Sequence, residues 1–339
     1  MLVAESVRGL LLAAGADSDG DYWCPACHGP VQLRRGKHKI AHFAHLPGAN
    51  CCVSEGETRE HLTGKRQLWT WLRAAGYQPQ LEAYLPAINQ RPDLLFKDGH
   101  GQLTAVEFQC SPLTVTRLRE RNAGYQRLGI VPYWLLGQPY RHRLSREKQA
   151  QFTQYVAGRL TLLYWNTDSA QVETQSNLCR CSFARKSGES KAVIRRQVNQ
   201  LLYRRVPTPV YTHLLQFVAS QLGPQPLAYC PLVCHDTMPS WPLFMDELIY
   251  WRIKVVTMLA TFPLFVAWSI DGWYQWLVRV GNPSWLAFPC LPRPPWEPII
   301  AKYSQELQAA GIIKVINGQV ILFKHPHWYK SLPEKLAAL

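Results

Sequence analysis

Cys24-Pro25-Ala26-Cys27 is the strongest constraint on how this chain folds. Two cysteines separated by two residues let a tight turn aim both thiolates at one metal ion, the knuckle that zinc ribbons use. A basic turn follows at Arg34–Lys39, then His42-Phe43-Ala44-His45 and Cys51-Cys52. Zinc takes four ligands and this segment offers six. The expected set is Cys24, Cys27, His45 and Cys51, with His42 and Cys52 as substitutes. So short a segment has too few apolar side chains to fold around a core of its own, so an ion must supply the cohesion. Four protein ligands leave no open position, and the expected role of the zinc is structural. Residues 1–55 are read as this module.

The chain's ten cysteines fit a reduced compartment. The first residues lack a basic segment ahead of a long apolar run, so no signal peptide is expected. The longest apolar stretch, Val255–Ile270, is short for a membrane span and is broken by Pro263. It reads as a buried helix pair with no membrane span, and the expected location is cytoplasmic.

Residues 57–75 read as a helix whose apolar stripe is Leu62, Leu68, Trp69 and Leu72. Glu57, His61 and Lys65 recur at four-residue intervals and share a second, polar stripe. Residues 80–85 alternate like a strand. Two further short strands, 91–96 and 103–111, flank an Asp98-Gly99 turn and make a hairpin. Asp93 opens the first of these strands. Glu107 and Gln109, two apart on the second, point to one face. An Asp followed by Glu-x-Gln on the neighbouring strand is close to the PD-(D/E)xK nuclease pattern. There, two carboxylates converge on a hard cation such as Mg²⁺ or Mn²⁺, which polarises a phosphodiester and acidifies the attacking water. Gln109 stands where that pattern has Lys; it can hydrogen-bond a water but carries no charge, so either activity is weaker or a residue such as Lys65 supplies the charge. The pattern alone is a weak match, and by itself it favours a half-buried hairpin with a wet polar face.

A helix over 114–127 carries Arg117, Arg121 and Tyr125 on one stripe, which suits a phosphodiester lying across it. Ile130–Leu136 reads as a buried strand. Helix, three strands, helix, strand is an α/β core, placed here at residues 56–140.

These segments together resemble a known family. YWCPACHGP, HFAH, EHLTGK, RPDLLF, VEFQCS and YWLLG, in this order over residues 1–137, look like the competence protein CoiA family. The resemblance implies a zinc-finger-like module followed by a restriction-endonuclease-like domain. It implies a cytoplasmic role in natural transformation, promoting recombination of incoming single-stranded DNA beside a RecA-type recombinase and other competence proteins. By position, Asp93, Glu107 and Gln109 match the nuclease-type triad. Glu57, His61 and Lys65 match the preceding helix, and Arg121 and Tyr125 the following one.

Charge refines the picture. The chain has 37 Lys+Arg and 23 Asp+Glu, for +14. Residues 141–210 hold 13 basic and 4 acidic residues, and so +9 of that surplus. Arg195, Arg196, Arg204 and Arg205 lie there, as a phosphate-tracking surface or a solvated helix face. Residues 141–339 are expected to be basic and mostly helical, with a Trp- and Pro-rich second half. Its tryptophans, Trp241, Trp251, Trp273 and Trp276 among them, are expected to fill a core. Cys179, Cys181, Cys230, Cys234 and His235 are too loosely spaced for a second metal site and read as core or free thiols. A helix over 297–310 followed by a hairpin through Asn317-Gly318 is compatible with a winged element. Three functions compete: a metal-dependent DNA nuclease, a catalytically inactive DNA-binding recombination mediator on a nuclease fold, and a zinc-bearing adaptor.

Overall fold

Short alternating segments with turn residues between them make the first 45 residues a sheet. The computed structural model describes residues 1–36, 39–49, 51, 57–141, 144–176, 187–203, 208–237, 243–281, 283–293 and 295–339. The strands β1 (Val3–Ser6), β2 (Gly9–Leu12), β3 (Tyr22–Trp23), β4 (Pro30–Arg34) and β5 (His42–His45) pair antiparallel in the order β2-β1-β3-β4-β5. The core behind them is small: Met1, Ala4, Ala13, Ala16, Tyr22, Cys24, Val31 and Phe43. Three alanines among eight residues supply little buried area, as expected for a module that leans on a metal.

Helix α1 (Arg59–Ala74) starts at Thr58, whose hydroxyl accepts the backbone N–H of His61. It buries Leu62, Leu68 and Leu72 against the second sheet. That sheet contains β6 (Gln80–Leu81), β7 (Leu94–Lys97) and β8 (Leu103–Gln109). Helix α2 (Val115–Arg127), capped by Thr114, crosses over to β9 (Val131–Leu136), which runs parallel to β8. The elements read from residues 57–136 are thus present, in the expected order.

The next residues depart from expectation. After α3 (Arg146–Phe152) come β10 (Gln154–Val156), β11 (Arg159–Asn166) and β12 (Gln171–Gln175). Strand β11 pairs parallel with β9, giving the order β10-β11-β9-β8-β7-β6 with β12 beside β11. Residues 141–176 therefore extend the sheet instead of opening a mostly helical region, and the boundary expected after residue 140 falls between strands of one sheet. The reason is burial: Leu162–Trp165 are all buried, and a strand covered on both faces shows no alternation to read.

Gly64 lets α1 lie close on β8. A Cβ there would meet Phe108 Cε1 at 2.2 Å. Gly64→Ala should cost about 1–3 kcal/mol by overpacking, more than the roughly 1 kcal/mol the helix gains from alanine. Urea unfolding measures it; a neutral or stabilised variant would mean that the Phe108 ring yields.

The chain divides into two units, Met1–Ser176 with Phe288–Pro292, and Asn177–Ala287 with Arg293–Leu339. The second is helical around a small sheet. Helices α4 (Ser187–Leu202), α5 (Pro209–Leu222) and α6 (Leu248–Thr261) share one core, with Val198, Leu214, Val218, Ile253 and Val256 at its centre. Then follow β13 (Ala267–Ser269), α7 (Ile270–Arg279), α8 (Glu297–Ala309), β14 (Ile313–Ile316), β15 (Gln319–Leu322) and α9 (Leu332–Ala337). The small sheet has the order β13-β15-β14, so the helix-then-hairpin reading is met. Trp251 and Trp273 are buried, and Trp268 and Trp276 stack beside Trp273. Trp241, Cys179 and Cys181 lie outside the described residues. Among the described residues, no helix is long and apolar enough to cross a membrane.

Candidate functional site

Two clusters of ligand-type side chains gather in the first unit. Cys24, Cys27, His45 and Cys51 bring their donor atoms within 4.8 Å of one another. The knuckle is built by backbone: Cys24 N donates to Gly29 O at 2.8 Å, His28 N to Cys24 O at 2.8 Å, and Ala26 N to Cys24 Sγ at 3.4 Å. Strand β5 then carries His45 across, with Nε2 3.3 Å from Cys27 Sγ. A tetrahedral ion with Zn–S about 2.3 Å and Zn–N about 2.0 Å has an S···N edge of about 3.5 Å, so the donor set fits zinc. His42, one of the two substitutes, bonds Ile40 O instead and stands outside the cluster. Cys52, the other, lies outside the described residues.

The second cluster lines a polar cavity over α1, β7 and β8. Glu57, His61 and Asp93 bring one donor atom each within 4.8 Å of the others. His61 Nε2 lies 3.2 Å from Asp93 Oδ2, and its Nδ1 lies 3.7 Å from Glu57 Oε1. The Phe108 backbone N–H donates to Asp93 Oδ2 at 2.8 Å. Lys65 is fully buried and its ammonium contacts Glu57 and Glu82, with Asp93 Oδ1 3.6 Å away. Burial pushes the Glu57 carboxyl up, but Lys65, the Met1 ammonium and His61 outweigh it and hold it at about 2. Asp93 is likewise held well below the usual carboxylate range: burial opposes, and His61 and Lys65 prevail.

Glu107 shares the cavity but not the cluster. Arg121 Nη2 holds its Oε1 at 2.5 Å and the Tyr125 hydroxyl donates to the same oxygen. Asp93 and Glu107 line the same cavity, and the group of three donors around Asp93 is completed by Glu57 and His61. Arg121 and Tyr125, expected on an exposed DNA-facing stripe, are 9% and 0% exposed. These two turn inward because Glu107 offers the charge and hydrogen bonds that let a guanidinium leave water, and Arg121 still lines the cavity with Arg117. Arg117 is exposed beside Glu120. Gln109 Nε2 donates to Ser111 O at 2.6 Å and Ser111 Oγ at 3.2 Å.

Glu82 was not singled out in the sequence. It is 3% exposed, takes the left-handed region with φ +52°, and donates its backbone N–H to Asp93 O at 3.0 Å. Its carboxylate also accepts the Leu2 and Val3 backbone N–H groups at 2.8 and 3.1 Å. Strand β1 of the first sheet is thereby tied to the Lys65 cluster. A lone glutamate at the end of a two-residue strand leaves no periodic signal.

In the second unit, α4 presents Lys191, Arg195, Arg196 and the 75% exposed Tyr203 just beyond it. Arg204 and Arg205 lie outside the described residues. Cys230, Cys234 and His235 are buried in the helical core and form no metal-type group among the described residues.

The family model described as Competence protein CoiA, nuclease-like domain, matches residues 57–202, and the one described as Competence protein CoiA, N-terminal domain, matches residues 13–54. Competence protein CoiA of Bacillus subtilis (strain 168) is 34% identical over 161 residues. That alignment spans 47% of this chain and 40% of the relative. No solved structure matches. The knuckle falls in the first matched segment and the carboxylate cavity in the second, and together the two segments take in more than half of the sequence. The chain belongs to the competence protein CoiA family.

Proposed function

We propose that this protein processes DNA in natural transformation, promoting recombination of incoming single-stranded DNA, and that its nuclease-like unit is a metal-dependent nuclease. The observation that carries this reading is the convergence of Glu57, His61 and Asp93 on one polar cavity. Two carboxylates and an imidazole suit Mg²⁺ or, better, Mn²⁺. When bound, such an ion polarises a phosphodiester and acidifies water. The chain's own groups do the rest. Lys65 sets the charge behind the carboxylates, the Phe108 N–H orients Asp93, and Arg117 and Arg121 line the cavity where a phosphate would lie. The cysteine and histidine cluster would hold a structural zinc. Basic α4, through Arg195 and Arg196, would track the backbone. A cytoplasmic setting, with a RecA-type recombinase and other competence proteins as partners, belongs to the same proposal.

A second reading, the inactive DNA-binding mediator, is favoured by one arrangement. Glu107 is committed to Arg121 and Tyr125, and the Gln109 amide to Ser111. Labelled single- and double-stranded DNA, incubated with Mg²⁺, with Mn²⁺ or with neither, separates the two. Metal-dependent cleavage that falls to background in Asp93→Ala and Glu57→Gln supports the nuclease. Binding without cleavage, unchanged in both variants, leaves the mediator. In either case Arg195→Ala with Arg196→Ala should weaken DNA binding and lower its salt slope by about 1–2. An unchanged slope would return α4 to a solvated face.

A further inference from the structure

Residues 203–339 lie beyond both matched segments, and their small sheet has an open face with an unusual composition. By strand register Ala267, Ile321 and Lys314 share that face, and Phe323 joins it through Lys314 and Phe265 through Phe323. Phe265 is 65% exposed and Phe323 38%. Their rings meet edge to face at 5.6 Å. Lys314 Nζ lies 3.8 Å from the centroid of the Phe323 ring. Phe265 also holds φ at +67°, a region that a bulky side chain rarely adopts. Strain that keeps an aromatic ring in water is a mark of function more than of folding.

A second observation lies at the next residue. Lys324 and His325 line a cavity of about 410 Å³ with Gln225, His327 and Trp328. His327 is held by Glu334 at 3.2 Å and His325 by Phe262 O at 2.9 Å. No carboxylate lines the cavity, and neither Lys314 nor Lys324 has a carboxylate partner among the described residues. A cavity lined by Lys324 and His325 with no carboxylate suits an anion.

We infer that this sheet face and the adjoining cavity bind single-stranded nucleic acid, with bases stacked on Phe265 and Phe323 and a phosphate seated by Lys324 and His325. Exposed aromatic rings next to cations are how proteins hold unpaired strands, since every base has a stacking face and each nucleotide a phosphate. Duplex DNA keeps its base faces stacked internally and cannot use the rings. The site needs neither cleavage nor a metal, so it holds whether or not the nuclease-like unit is an enzyme.

The test measures anisotropy of labelled oligothymidylate with the full-length protein and no added divalent cation. Phe265→Ala with Phe323→Ala should weaken binding about tenfold and leave duplex affinity unchanged. An abasic strand should bind the wild type as weakly as thymidylate binds that variant. Lys324→Ala should weaken both strands alike and lower the salt slope by about 0.7. Phe265→Gly covers a folding artefact. Glycine tolerates the positive φ, so its melting temperature should rise while its affinity falls. Unchanged thymidylate affinity in the folded Phe265 and Phe323 variants, or an equal loss on duplex, overturns the inference and leaves the patch to a protein partner.

Discussion

Lys65→Met should destabilise the protein by about 3–5 kcal/mol, the cost of removing one partner from a buried ionic cluster. Lys65 is 1% exposed and faces Glu57, Glu82 and Asp93, all of them buried or nearly so. Burial alone would strip its proton, yet the three carboxylates keep it charged well above the usual lysine range. Methionine fills a similar volume, so packing loss is small and the effect isolates charge. Three carboxylates would then share His61 and the Met1 ammonium. Adding Glu82→Gln should restore part of the loss, because the pair is coupled and the remaining charges balance better. Urea unfolding of the two single variants and the double variant measures this. A loss below about 1 kcal/mol for Lys65→Met would mean that the carboxylates are not ionised together, against the charge distribution argued here.

The second large effect concerns the cysteine cluster. Metal analysis of the purified protein should find one zinc bound per chain, and Cys24→Ser should lose it. Structural zinc supplies about 10–16 kcal/mol of apparent binding energy in small zinc-folded peptides, more than a core rich in alanine contributes. The N-terminal sheet should therefore unfold in Cys24→Ser or on strong chelation. The change should reach further, because Glu82 ties the backbone of Leu2 and Val3 to Lys65. Hydrogen exchange of the peptides spanning Leu2–Ala4 and Leu94–Phe96 should both speed up. Exchange confined to the first peptide would mean that the two sheets fold independently. A zinc-free fresh preparation would refute the assignment altogether.

Much of the site was legible because its signals are local. A two-residue gap between cysteines places both thiols on one turn whatever surrounds them. Four-residue spacing puts His61 and Lys65 on one face of α1, with Glu57 just ahead of its cap, and an Asp-Gly turn closes the hairpin that carries Asp93 and Glu107. Local spacing specifies which residues share a face, but not which way the face looks. That depends on partners far along the chain. Arg121 and Tyr125 share a face as expected, yet Glu107 draws both of them inward. Glu82 enters the site through a left-handed backbone turn and contacts more than 70 positions away. Strand β11 joins the sheet by parallel pairing with β9, whose partner lies about thirty residues back and leaves no periodic trace. Short-range geometry set the ligands and the faces; long-range pairing and charge compensation decided which carboxylates meet.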